Sequence, residues 1–82
     1  MDEEVIHNRV KVLISFGAVV RNLRIELGFS QEEFADLCGL DRTYIGGVER
    51  GERNIGLVNV YRIASALDLD VSVLFQNIEA GT

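Results

Sequence analysis

The chain has 82 residues, of which 48% are apolar and 26% charged, with a formal net charge of −5. That is enough for one small core, which buries only about 60% of the surface its unfolded chain exposes, and it is too apolar for a disordered segment. It excludes a membrane span, since no apolar run approaches the roughly 20 residues required, and it argues against a secretory leader, because Met1-Asp2-Glu3-Glu4 is acidic where a leader is basic.

A single cytoplasmic domain over residues 1–82 is therefore expected, with its core over 10–78 and terminal extensions at 1–9 and 79–82. The one cysteine, Cys38, has no partner for an internal disulfide, and with the distant His7 it makes no metal-ligand set. No metal, cofactor, membrane partner or small-molecule substrate is expected. Nor is an enzyme, since the chain carries no Ser/His/Asp or Cys/His arrangement and no phosphate-cradling glycine loop.

With no proline and no repeat, and with apolar residues recurring at helical spacing almost throughout, the chain reads as all-α. Leu13, Phe16, Val20, Leu23 and Leu27 form one stripe of a first helix over Val10 to Leu27, which Gly28 stops, while Glu3 to Arg9 either extends that helix or frays. Ser30-Gln31-Glu32-Glu33 has the form of a capping box and opens a second helix that runs to Cys38. Gly39 suits a left-handed turn, and Asp41 is a good N-cap for a third helix running through Arg50 to Gly51. After the polar loop Glu52 to Gly56, a fourth helix points Val60, Ile63, Ala64 and Leu67 inward. A short fifth, Val71 to Asn77, carries Val71, Leu74 and Phe75, with Ile78 beyond it.

Two short helices joined by a turn of about three residues must cross steeply, so their facing residues have to be small or aliphatic. Ala35 meets the close approach, Gly39 the turn, and Phe34, Cys38, Leu40, Ile45 and Val48 supply the seam, with Cys38 buried and inert. Over about Phe16 to Phe75 the chain resembles the lambda-repressor-like helix-turn-helix family, often called the Xre type. The resemblance rests on Arg24-Ile25-Glu26-Leu27-Gly28-Phe29-Ser30-Gln31-Glu32-Glu33-Phe34-Ala35, Leu40-Asp41-Arg42-Thr43-Tyr44-Ile45 and Val48-Glu49-Arg50-Gly51-Glu52-Arg53-Asn54. Within that family, Leu40 to Ile45 and Glu49-Arg50 look most like the controller proteins of restriction-modification systems.

The resemblance implies a compact five-helix fold whose third helix enters the major groove amino end first, while the second crosses the backbone. Arg42 and Thr43 are then the base readers: arginine matches both acceptors of guanine, and threonine offers a hydroxyl and a methyl. Gly46 and Gly47 stand where the family usually places base-facing side chains. Two glycines inside a helix cost about 1–2 kcal/mol, and close approach of backbone to the groove is the functional reading, tolerance without purpose the alternative. Gln31, at the start of the second helix, is placed to hold a phosphate, and Tyr44, Arg50, Arg53 and Asn54 to meet the phosphates or sugars beside it, with a half-buried core tyrosine the alternative for Tyr44. The resemblance assigns Arg24 and Glu49 to a partly buried ion pair.

The acidic net charge is at odds with phosphate contacts, so a narrow cationic face bearing Arg42, Arg50 and Arg53 is expected, with the acidity segregated elsewhere. One recognition helix touches too few base pairs to select a site, which implies a homodimer on two half-sites about 34 Å apart. Val71, Val73, Leu74, Phe75 and Ile78 are the expected interface, with His7 and the Val10 to Ile14 stretch as contributors. The reading is a homodimeric regulator that binds double-stranded DNA. Its alternatives are an antitoxin or phage-type repressor of the same fold, and a protein-interaction adaptor that binds no DNA.

Overall fold

The structure, a computed structural model, describes residues 3–80, with the side chains of 3–4 and 7–78; residues 1–2 and 81–82 of the expected extensions lie outside the described residues. The helices are α1 (Glu3–Glu26), α2 (Gln31–Cys38), α3 (Arg42–Glu49), α4 (Leu57–Ala66) and α5 (Val71–Ala80), with no strand among the described residues. The first helix begins well before Val10 because nothing from Glu3 to Arg9 breaks it and Glu3 and Glu4 face the positive end of its dipole. At 1.5 Å per residue its 24 residues account for nearly all of the molecule's 38 Å long axis. It ends one residue before Leu27, which is therefore left 51% exposed rather than continuing the inward stripe.

Local chemistry sets the next boundaries. The Ser30 hydroxyl accepts from the Glu33 amide at 3.1 Å and Glu33 Oε1 accepts from the Ser30 amide at 2.9 Å, which satisfies two otherwise orphaned donors of α2. At its other end Gly39 takes φ +69, a left-handed value that a side chain would strain. Asp41 then accepts from the Thr43 amide at 3.1 Å and starts α3, which closes at Glu49 with Arg50 as its cap.

The core joins Phe16 and Val20 of α1, Phe34, Ala35 and Cys38 of α2, Ile45 and Val48 of α3, Val60, Ile63 and Ala64 of α4, with Leu67, and Leu74 and Ile78 of α5. Helix α3 packs on α1 and α2, α2 also on α4, and α5 on α1 and α4. Burial pushes the Cys38 thiol up to about 11, so at neutral pH it is a small neutral core group. The α1–α5 contact includes a tilted ring pair, Phe16 and Phe75, with centroids 6.3 Å apart.

Leu74, 0% exposed, and Ile78, 7% exposed, correct the expected interface. They sit four residues apart on the face of α5 that meets α1 and α4, so the protomer's own core uses them, and Val71 packs beside it. Val73 and Phe75 remain on the outside.

After α4 the chain turns through Asp68, the one non-glycine residue with positive φ (58°) among the described residues. A left-handed residue costs about 1 kcal/mol when it carries a Cβ, and glycine is the usual occupant of that place after a helix. Asp68→Gly is expected to raise the Tm by roughly 4–8 °C; a lower Tm in a calorimetric scan would show that the turn stores no such strain.

Candidate nucleic-acid interface

Ile45 to Glu49 are all buried, so only the amino end of α3 reaches the surface. Its first residues, Arg42 and Thr43, are both exposed, beside the first turn of α2 across the Gly39 to Asp41 turn.

Behind this edge lies a buried charge pair. Arg24 Nε donates to Glu49 Oε2 at 2.7 Å and Nη2 to Glu49 Oε1 at 3.0 Å, while Nη1 donates to the Phe29 carbonyl at 2.8 Å. The side chains are 9% and 2% exposed. The bond to Glu49 raises the Arg24 guanidinium above its ordinary value, burial opposes this, and attraction to the Glu49 charge adds to it. The pair thus ties the end of α1 to the end of α3.

Gln31 continues this network outward. Its Nε2 donates to Glu49 Oε1 at 3.0 Å, and its Oε1 accepts from Arg42 Nη1 at 3.5 Å. Its side chain, expected to hold a phosphate, is instead a strut between the buried carboxylate and Arg42. The Gln31 link was not anticipated from the sequence, although the i, i+18 separation of Gln31 and Glu49 could only become a contact once α2 and α3 crossed.

The remaining expected contacts are distributed around α3. Tyr44 is half-buried, its hydroxyl accepting from Asn59 Nδ2 at 3.2 Å, and the Arg53 guanidinium lies 5.7 Å from its ring centroid in a cation–π arrangement. Arg50 Nε donates to both oxygens of Glu52 at 2.9 Å in an exposed pair; that bond raises Arg50 and lowers Glu52 from their ordinary values. Asn54 is exposed and lines a cleft with Asn8 and Lys11 of α1.

Gly46 and Gly47 are not open to a groove as expected. Both are buried, because the long side chains beyond them fold back: a Cβ on Gly46 would stand 3.1 Å from Arg50 Nη1, and one on Gly47 would stand 3.0 Å from Arg53 Cγ and Nε. The missing side chains therefore make room for arginine rather than bringing the helix backbone up to a groove. The acidity is also less segregated than expected. Glu32, Glu33 and Asp36 lie on the exposed face of α2, where Glu33 completes the capping box, and Glu52 sits beside Arg50 as its ion-pair partner.

This architecture defines a class. Residues 20–74 match the helix-turn-helix family model, and the chain belongs to that family. Among its relatives is control protein C.MunI of Mycoplasma sp, 44% identical over 69 residues that cover 83% of this chain and 93% of that protein. The crystal structure of the restriction-modification controller protein C.AhdI from Aeromonas hydrophila superposes with a TM-score of 0.75 at 54% identity, over 77% of this chain and 96% of that one. The controller protein C.Esp1396I, solved as a tetramer in complex with its natural 35 base-pair operator, superposes with a TM-score of 0.78 at 33% identity, over 84% and 91%.

Proposed function

We propose that the chain is a sequence-specific regulator of transcription that binds double-stranded DNA as a homodimer on a two-fold operator, and that it serves as the controller protein of a restriction-modification system. The observation that carries this reading is the free amino end of α3: Arg42 and Thr43 are exposed, and Gln31 braces Arg42 from the buried Arg24–Glu49 pair. The controller proteins it resembles supply the biological setting, and the operator complex of C.Esp1396I supports DNA as the ligand. The mechanism is occupancy: a bound dimer blocks or recruits polymerase, with no chemistry of its own. Work of this kind belongs in the cytoplasm, and no helix among the described residues is long and apolar enough to cross a membrane.

A footprint on the DNA upstream of its own gene tests the reading. Two symmetric half-sites are expected, with affinity falling steeply as salt rises. Arg42→Ala is expected to lose roughly ten- to hundred-fold preference at one base pair of each half-site, whereas Arg53→Ala weakens binding to all sequences alike and lowers the salt slope by about one. Binding that is indifferent to both sequence and salt would leave the adaptor reading in its place.

With Leu74 and Ile78 committed to the core, the dimer contact falls to apolar residues the fold leaves outside. Leu57, Val58 and Tyr61 are 77%, 67% and 64% exposed on one side of α4, and Val73 and Phe75 emerge from α5. Contiguous apolar residues left in solvent are candidates for a protein contact. Tyr61→Glu is expected to shift the sedimentation coefficient from dimer to monomer with the fold intact, and an unmoved dimer would place the contact elsewhere.

A further inference from the structure

Position 46 lies four residues, about 6 Å, after Arg42 along the same side of α3, where a recognition helix presents its next base-facing side chain. Glycine presents none, yet the place is filled. The guanidinium of Arg50, one turn further on, folds back so that its Nη1 would lie 3.1 Å from a Cβ at 46, and Gln31 Oε1 would lie 3.7 Å from the same point. Gln31 Oε1 is also the acceptor for Arg42 Nη1. The Arg50 guanidinium and the Gln31 amide oxygen that accepts from Arg42 therefore both lie beside position 46.

Glu52 fixes which part of Arg50 faces outward. Both of its oxygens are taken by Nε, at 2.9 Å each, so the Nη edge is the one turned to the vacant position. A phosphate contact requires none of this. A cation reaching a phosphate gains nothing from a side-chain-free slot in the recognition helix, whereas a reader aligned with a base edge needs both the slot and a fixed orientation.

We infer that Arg50 is a sequence-determining base reader, its guanidinium occupying the place Gly46 leaves empty and recognising a guanine edge next to the base pair read by Arg42, with Glu52 as its positioning residue. This rests on the regulator reading and revises the phosphate role expected for Arg50.

The test uses the full chain and the duplex it selects from a randomised pool, together with every single base-pair change of that duplex and an unrelated duplex of equal length. Arg50→Lys keeps the charge but not the planar fork. It is expected to lose at least ten-fold preference at one base pair of each half-site, adjacent to the one lost in Arg42→Ala, while affinity for the unrelated duplex changes less than three-fold. Glu52→Ala is expected to bind the unrelated duplex more tightly and to weaken preference at that same base pair. Gly46→Gln, which refills the slot, should change the preference there and make a further Arg50→Ala change silent at that position. Melting curves confirm that each variant is folded. An Arg50→Lys protein that selects as the wild type does, or Arg50→Ala weakening every duplex by one factor, overturns the assignment alone. A wild-type protein that selects no duplex overturns the regulator reading and this assignment with it.

Discussion

Gly17→Ala is expected to destabilise the protein by about 3 kcal/mol or more, at the upper end of what overpacking costs, and to lower the Tm by roughly 12–24 °C. In an isolated helix the substitution would stabilise by about 0.5–1 kcal/mol, because glycine is the poorer helix former. Here the sign reverses. Gly17 lies where α1 crosses the end of α3, and a Cβ would stand 2.6 Å from the Glu49 carbonyl oxygen and closer still to that of Val48. These are backbone atoms held by a core on both sides, so neither helix can give way without opening the contact on which Val20, Ile45 and Val48 depend. Gly46→Ala is the control: its new methyl group meets only side-chain atoms of Arg50 and Gln31, which can shift by a few tenths of an ångström, and the Tm is expected to hold or rise by a few degrees. Thermal unfolding of the two variants side by side decides the matter. A Tm for Gly17→Ala equal to or above the wild type would mean that the two backbones do not approach so closely.

The second large effect belongs to the buried pair. Glu49→Gln keeps the shape of the side chain but leaves the Arg24 guanidinium, nearly sealed from solvent, without a counter-charge. Breaking such a pair from one side costs about 3–5 kcal/mol, against a total stability of roughly 4–12 kcal/mol for a chain this long. A Tm fall of at least about 12 °C is expected. Glu49→Gln also exchanges a charged acceptor for a neutral one at Gln31 Nε2, so, on the proposal that Arg42 reads a base pair, DNA selectivity there should weaken even where the protein is still folded. Replacing both partners, Arg24→Leu with Glu49→Leu, removes the stranded charge and is expected to recover much of the stability but none of the selectivity. An unchanged melting curve for Glu49→Gln would remove the pair from the account of the fold.

These two cases differ in how far the sequence announces them. Arg24 and Glu49 are distant in the chain, and the sequence reading paired them only through a resemblance; the bonds at 2.7 and 3.0 Å then show that Glu49 accepts from Gln31 as well. Gly17 carries no local mark at all. It is one glycine inside a helical stripe, and only the crossing of α1 with α3 gives it a role. The fifth helix illustrates a different limit. Its apolar residues cover more than one face, and periodicity alone could not tell which face a protomer keeps. Contact with α1 and α4 buried Leu74 and Ile78, left Val73 outside, and covered Phe75 only in part, where it meets Phe16. Leu57, Val58 and Tyr61 went unremarked because their exposure depends on α4 turning its other side to α2.

What the amino-acid sequence determined by itself is local. Ser30 with Glu33, Gly39 and Asp41 set the ends of the two short helices through hydrogen bonds spanning two or three residues, and the spacing of Phe34, Cys38, Ile45 and Val48 set which sides meet, leaving Arg42 and Thr43 pointing outward. Tertiary structure decided the rest: that Arg50 and Arg53 lie across Gly46 and Gly47, that Gln31 spans from a buried carboxylate to an exposed guanidinium, and that Gly17 admits no side chain. The reason is one of range. Caps and periodicity act within a helical turn and are written in neighbouring residues, whereas burial, backbone clearance and the reach of a long side chain depend on which distant segment arrives beside it.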